Sequence, residues 1–186
     1  FDINDQNVHD KLDEFIQTLI QQIDTMSSIA SAFSNFAEMP AQQGEKINII
    51  QTIRLALEIF KEKHIKFISD FKDIQVNIDR TQMVRIITNL VKNAIQACET
   101  IEKPLIQVFI KKKKNNIVIE IKDNGIGISK SIGKKIFEPN FTTKTSGMGL
   151  GLGMVKNLVN SYDGKITFKS KINSGASFLI SFPISK

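Results

Sequence analysis

The sequence predicts an α+β fold: a sandwich with one mixed, mainly antiparallel sheet covered by helices on a single face, plus a long coiled-coil-like helix at the N-terminus. Three observations carry that expectation. A heptad seam runs through the first forty residues and stops at Pro40. Beyond it, two segments have the 3.6-residue apolar period of amphipathic helices. Between and after them, short alternating stretches read as strands, and helices interspersed with antiparallel strands argue for a two-layer α+β arrangement.

The seam consists of Leu12, Ile16, Leu19, Ile23, Met26, Ala30 and Phe33, with Asp5 as a candidate N-cap. A helix over 5–37 would be about 50 Å long, more than the following domain can cover. Its apolar edge therefore predicts partner helices and an oligomer. Two domains are expected: 1–40, the bundle helix, and 41–186. In the second, Asn48 caps a helix over 48–63, β-type stretches follow at 65–71 and 76–79, and residues 80–99 form the strongest helix. Strands near 105–112 and 116–122 form a hairpin turning at Asn115-Asn116. A helix runs to about Tyr162, Asp163-Gly164 turns the chain, and strands near 165–170 and 176–182 close it.

Composition narrows the function classes. No run approaches the roughly 18 apolar residues of a membrane span. Cys98, the single cysteine, excludes an internal disulfide and suits a reducing, cytoplasmic setting. A net charge of +6 and a pI near 9.4 permit a polyanionic partner. The run Lys111–Lys114 reads as a solvated hairpin tip rather than a nucleic-acid patch, because no interleaved aromatics offer bases a stacking surface.

The chemistry gathers in four places. On the polar face of the 80–99 helix, Asn89 and Asn93 are four apart, so their amides point the same way. Amide oxygens in that position could ligate Mg²⁺, although a solvated helix face would read the same. After the strand V-I-E-I-K comes D-N-G-I-G-I, where Asp123 offers an acceptor for an exocyclic amine and the glycines admit a flat ligand. F-E-P-N-F-T-T-K leads into G-M-G-L-G-L, with Thr143, Lys144 and glycine N–H groups suited to phosphates at a helix start. Neither a P-loop nor a Rossmann turn fits that spacing.

The ordered set N-L-V-K-N-A (89–94), D-N-G-I-G-I (123–128), F-E-P-N-F-T-T-K (137–144) and G-M-G-L-G-L (147–152) resembles the GHKL superfamily, whose ATP-binding domains share the Bergerat fold. The closing G-A-S-F-L-I-S-F-P-I resembles the last strand pair of sensor histidine kinases, and the segment F-S-N-F-A-E-M-P (33–40) resembles the point where the second dimerisation helix of nitrogen-regulation-type sensor kinases leads into the catalytic domain. That resemblance implies ATP and Mg²⁺ as cofactors, with Asn93 as metal ligand and Asn89 assisting. It implies Asp123 reading the adenine amine, with Gly125, Gly127 and Ile128 lining the base and Ser177 nearby. Thr143, Lys144 and the stretch Gly147, Met148, Gly149, Leu150, Gly151 and Leu152 would enclose the phosphates, with Lys92 as a further phosphate contact.

The superfamily's ATPases place a water-activating glutamate where this chain has Asn89. An amide is no general base near neutral pH, so the expectation is a kinase with slow hydrolysis. A true ATPase and a non-catalytic nucleotide-binding or dimerisation module are the alternatives. Neither His9 nor His64 sits in an acceptor-type box, so the phospho-accepting histidine is expected upstream of residue 1. The implied partners are a second copy of the chain, through the N-terminal helix, and a response regulator. The full protein would be cytoplasmic or anchored in the inner membrane, with no membrane segment in this stretch and no nucleic-acid partner.

Overall fold

The computed structural model describes residues 11–20, 22–23, 26, 44–61, 64–133, 135–138, 141 and 151–184. The chain divides into two compact units, Phe1–Pro40 and Ala41–Lys186. In the first, residues 11–20 are helical, and Leu12, Phe15, Ile16, Leu19 and Ile20 all stand exposed. The expected ends of this helix, near 5 and 37, lie outside the described residues. Among the described residues, no helix is long and apolar enough to cross a membrane.

The second unit opens with a short strand, β1 (Lys46–Asn48), which pairs antiparallel with β3 (Gln75–Asn77). Helix α1 spans Ile49–Glu58. It starts where expected because the Asn48 side chain accepts from Ile50 N and Gln51 N, satisfying two otherwise orphaned donors. It ends five residues earlier than the 63 expected, since the chain must turn to enter β2 (Ile65–Ser69), which runs parallel to β4 (Ile106–Lys113).

Helix α2, Arg80–Ala97, is capped by Asp79, whose carboxylate accepts from Gln82 N at 2.9 Å. Met83, Ile86, Ile87, Leu90, Val91 and Ala94 form its buried stripe. Each large apolar side chain so buried contributes about 1.5–3 kcal/mol, so this stripe fixes which helix face is left for chemistry.

The main sheet has five strands in the order β2-β4-β5-β7-β6, with β4 Ile106–Lys113, β5 Asn116–Asp123, β6 Lys165–Ser170 and β7 Ala176–Pro183. Every pairing except β2–β4 is antiparallel. Alternate residues such as Val108, Ile119, Ile121 and Ile180 point into the helix-covered core. The hairpin turns one residue earlier than expected: Lys114-Asn115 make the turn, Lys114 with φ 55°, and Asn116 already pairs with Lys113. That register is the one that keeps Ile117, Ile119 and Ile121 inward. A four-residue helix α3 (Lys130–Gly133) and α4 (Gly151–Ser161) complete the elements.

Candidate nucleotide site

Helix α2 acts as the ruler of the site. Asn89, Asn93 and Ala97 succeed one another at four-residue steps on one face, spanning about 12 Å. At the Asn89 end, the Nδ2 amide donates to Arg85 O at 2.8 Å. This bond fixes the amide orientation, since the flipped form would set oxygen against oxygen. Oδ1 therefore points away from the helix and lies against Gly151, where a Cβ would come within 3.2 Å of it. Gly151 is the first residue of α4, whose N-terminal end carries the positive pole of the helix dipole. One turn on, Asn93 is half-buried, and its side-chain amide has no hydrogen-bond partner among the described residues. Its amide oxygen is available to a ligand.

At the Ala97 end, the D-N-G turn is fastened to α2. Ala97 O accepts from Ile126 N at 3.0 Å, and a Cβ on Gly125 would lie 2.4 Å from that same oxygen. Only glycine permits this approach. Asn124 locks the turn from the other side, accepting from Leu105 N and donating to Lys103 O. Gly127 has φ +72° and abuts the β6–β7 loop, where a Cβ would come within 2.2 Å of Lys171 O. Ser170 bridges the two loops: its hydroxyl accepts from Ile128 N and donates to Gly175 O, both at 2.8 Å.

Asp123 is held in the centre of this knot, with only 4% of its surface exposed. Gly125 N and Ala176 N both donate to Oδ1, at 2.9 and 3.1 Å. Both of these bonds go to Oδ1, and no other described residue donates to Oδ2, which is left for a ligand. Burial pushes this carboxyl above the usual range, and the backbone N–H groups of Gly125, Ala176 and Asp123 itself only partly offset it. The same burial, reinforced by Asp123, raises the neighbouring Cys98 thiol, so it stays protonated.

A third cluster stands below. Phe137 meets Phe168 and Phe178 edge-on, at 6.0 and 6.5 Å between ring centroids, while Phe168 and Phe178 stack at 5.9 Å. These rings anchor the stretch leading into the glycine segment.

The structure thus brings Asn89, Asn93 and Gly151 to one end, and Asp123, Gly125, Gly127 and Ile128 to the other. Lys92 is exposed beside Asn93. Leu152 is half-buried against the core. Thr143, Lys144, Gly147, Met148, Gly149 and Leu150 lie outside the described residues. Ser177 is a correction. It pairs with Lys122, next to Asp123, and therefore faces the opposite side of the sheet, where its hydroxyl donates to Glu120 Oε1 at 2.7 Å. The backbone of Ala176, one residue earlier, makes the contact with Asp123.

Asn124, Ser170 and Ala176 were not among the residues expected. A D-N-G turn reads as local chemistry, and nothing in the sequence signals that Asn124 reaches back to Lys103. Among the described residues no group of three or more His, Cys, Asp and Glu could hold a metal by itself. A hard cation here would take the Asn93 amide oxygen together with oxygens from the phosphates it accompanies, as Mg²⁺ commonly does. The free amide and the outward Asn89 oxygen fit that role.

The family described as histidine kinase-, DNA gyrase B-, and HSP90-like ATPase matches residues 78–186, more than half of the chain. The signal transduction histidine-protein kinase AtoS of Escherichia coli is 29% identical over 92% of this chain and 29% of its own length. An NtrY-like sensor histidine kinase of Rickettsia conorii is 29% identical over 94% of this chain and 30% of its own. The chain thus spans less than a third of these curated relatives.

Among solved structures, the nucleotide-free catalytic domain of histidine kinase ThkA superposes with a TM-score of 0.67 at 31% identity, covering 75% of this chain and 95% of that one. ThkA in complex with the response regulator protein TrrA matches all of this chain and 53% of its own, with TM-score 0.74. At 23% identity that match shows the fold alone. The chain belongs to the family of histidine kinase-, DNA gyrase B- and HSP90-like ATPases, and its relatives within it are sensor histidine kinases.

Proposed function

We propose that this chain is the ATP-binding catalytic core of a two-component sensor histidine kinase, transferring the γ-phosphoryl group of Mg-ATP to a histidine. The observation that carries the reading is the free Oδ2 of buried Asp123 at one end of α2, with the outward amide oxygen of Asn89 and the free amide of Asn93 at the other. In this reading the adenine amine donates to Asp123 Oδ2, and Gly125, Gly127 and Ile128 flank the base. Asn93, assisted by Asn89, would hold Mg²⁺, and the ion would supply charge neutralisation at the phosphates. Thr143, Lys144, the backbone of Gly147–Leu152 and the start of α4 enclose the phosphates, with Lys92 at the rim.

In the transfer, a histidine nitrogen forms a bond to the γ-phosphorus while the bond to the β–γ bridging oxygen breaks and ADP leaves. The protein's part is positioning and charge neutralisation. Asn89 cannot activate water as a carboxylate would, so hydrolysis is expected to be slow. The exposed apolar side chains of residues 11–20 fit pairing with a second copy. A response regulator would accept the phosphoryl group, as the ThkA–TrrA complex suggests by analogy. The site would operate in the cytoplasm, whether or not the whole protein is anchored in the inner membrane.

The test is to give γ-labelled Mg-ATP to the chain together with a polypeptide carrying the acceptor histidine. Acid-labile label on that histidine supports the reading. Steady release of free phosphate over many turnovers would establish an ATPase instead, and failure to bind nucleotide would establish a non-catalytic module.

A further inference from the structure

Charge is divided unevenly along the chain. Phe1–Pro40 carries seven Asp and Glu against one Lys, a net charge of −6, whereas Ala41–Lys186 carries 24 Lys and Arg against 12 Asp and Glu, a net charge of +12. In the second unit much of the excess lies on the sheet face turned away from the helices, and strand register shows how it is arranged. Lys66, Lys122 and Lys169 fall in one cross-strand row, and Lys111 and Lys165 in another, with Lys113 beyond it. All six are exposed.

Between the two rows runs a third, in which Ile68, Phe109 and Leu179 form an apolar stripe. Ile68 is 40% exposed, while Phe109 and Leu179 are half-buried. Glu120, in the same central row, is the only carboxylate that the strands place on this face. Its two oxygens are taken by the Ser177 hydroxyl and the Lys111 ammonium, at 2.7 and 3.1 Å.

We propose that this face is a docking surface for an acidic protein partner, whose carboxylates meet the two lysine rows across a small apolar centre. The surplus of five positive charges over one carboxylate is complementary to such a partner and repels a second copy of the same face. A planar anionic bilayer fits less well. Neighbouring strands rotate by about 20–25°, so five strands form a saddle of roughly 80–100° that a plane touches only at its corners. A nucleic acid fits less well too. Burial works against an ionised Glu120, but its hydrogen bonds to Ser177 and Lys111 prevail and hold its pKa below the usual range, leaving a negative charge in the middle of any phosphate track. Phe109, the single aromatic ring of the central row, lies under the Lys111 ammonium, 5.3 Å from its centroid, and offers no open stacking surface.

The test uses the full chain, with poly-glutamate as the probe and backbone amide shifts as the readout. The expected shifts fall on the open-face residues of β4, β5 and β7, such as Phe109, Val118 and Leu179. Reversing two β6 charges, Lys165→Glu with Lys169→Glu, should weaken binding about tenfold at moderate salt. Reversing Lys61 and Lys72, which changes net charge equally elsewhere, should weaken it less than about twofold. Equal losses in the two double variants, or shifts on another surface, would overturn the proposal. Tighter binding to a random DNA duplex or to phosphatidylserine vesicles than to poly-glutamate, at the same ionic strength, would overturn it as well.

Discussion

Replacing Asp123 by asparagine separates what this residue does for nucleotide from what it costs the fold. Oδ1 accepts from Gly125 N and Ala176 N, so the amide oxygen must take that position in the variant. The NH₂ group is then forced to where Oδ2 stood. A charge-assisted bond to the adenine amine, worth about 1.5–3 kcal/mol, becomes a clash of two donors. Affinity for Mg-ATP should fall about 10- to 150-fold, at 1.4 kcal/mol per tenfold. A base with a carbonyl at the same ring position, as in ITP, can accept from the new NH₂, so the preference for ATP over ITP should shrink by at least about tenfold.

Stability should move the other way. Burial raises the folded pKa of Asp123 above its unfolded value, so the native state binds the proton more tightly. The wild type then loses stability as pH rises from the ordinary carboxylate range through that raised value. The asparagine variant has no such loss, and its melting temperature without nucleotide at neutral pH should equal or exceed the wild type's. Calorimetric titrations with both nucleotides and thermal unfolding without nucleotide check the two arms. ATP affinity within about threefold of wild type, in a folded variant, would refute the adenine assignment.

Other substitutions probe the remaining parts. Asn93→Ala should weaken Mg-ATP binding about tenfold or more while leaving metal-free ADP nearly unaffected, because only the metal's amide ligand is lost; titrations with and without Mg²⁺ distinguish the two. Gly175→Ala puts a Cβ 2.0 Å from Asp123 O at φ +85°, so urea unfolding should show a loss above about 1 kcal/mol together with weakened nucleotide binding. Phe137→Ala removes one ring of the aromatic trio and should cost about 2–3 kcal/mol, less than a fully buried phenylalanine. The raised pKa of buried Cys98 predicts that iodoacetamide labels the native chain at neutral pH far more slowly than the urea-unfolded chain.

The parts of the site that were legible in the sequence are those set by local periodicity. Asn89 and Asn93 could be placed on one helix face because Met83, Ile86, Leu90 and Ala94 fix which face is buried beside it. Asp123 could be placed at a strand end because glycine punctuation follows it. What could not be read is what long-range closure decides. Ala176 and Ser177 differ by one residue, and the register against β5 sends one toward Asp123 and the other to the far face. Ser170 ties Ile128 to Gly175 across 42 residues of chain, a contact with no signature in either segment. The hairpin slipped by one residue because inward packing of Ile117, Ile119 and Ile121 outweighs the turn preference of a second asparagine. Strand β1 and helix α3, of three and four residues, are too short to show a period.

The most direct test of the account is a crystal structure of the chain with Mg²⁺ and a non-hydrolysable ATP analogue. The account predicts the adenine amine within hydrogen-bonding distance, about 3 Å, of Asp123 Oδ2. It also predicts the metal about 2.1 Å from the amide oxygen of Asn93. A base bound away from the D-N-G turn, or a metal held without Asn93, would contradict it.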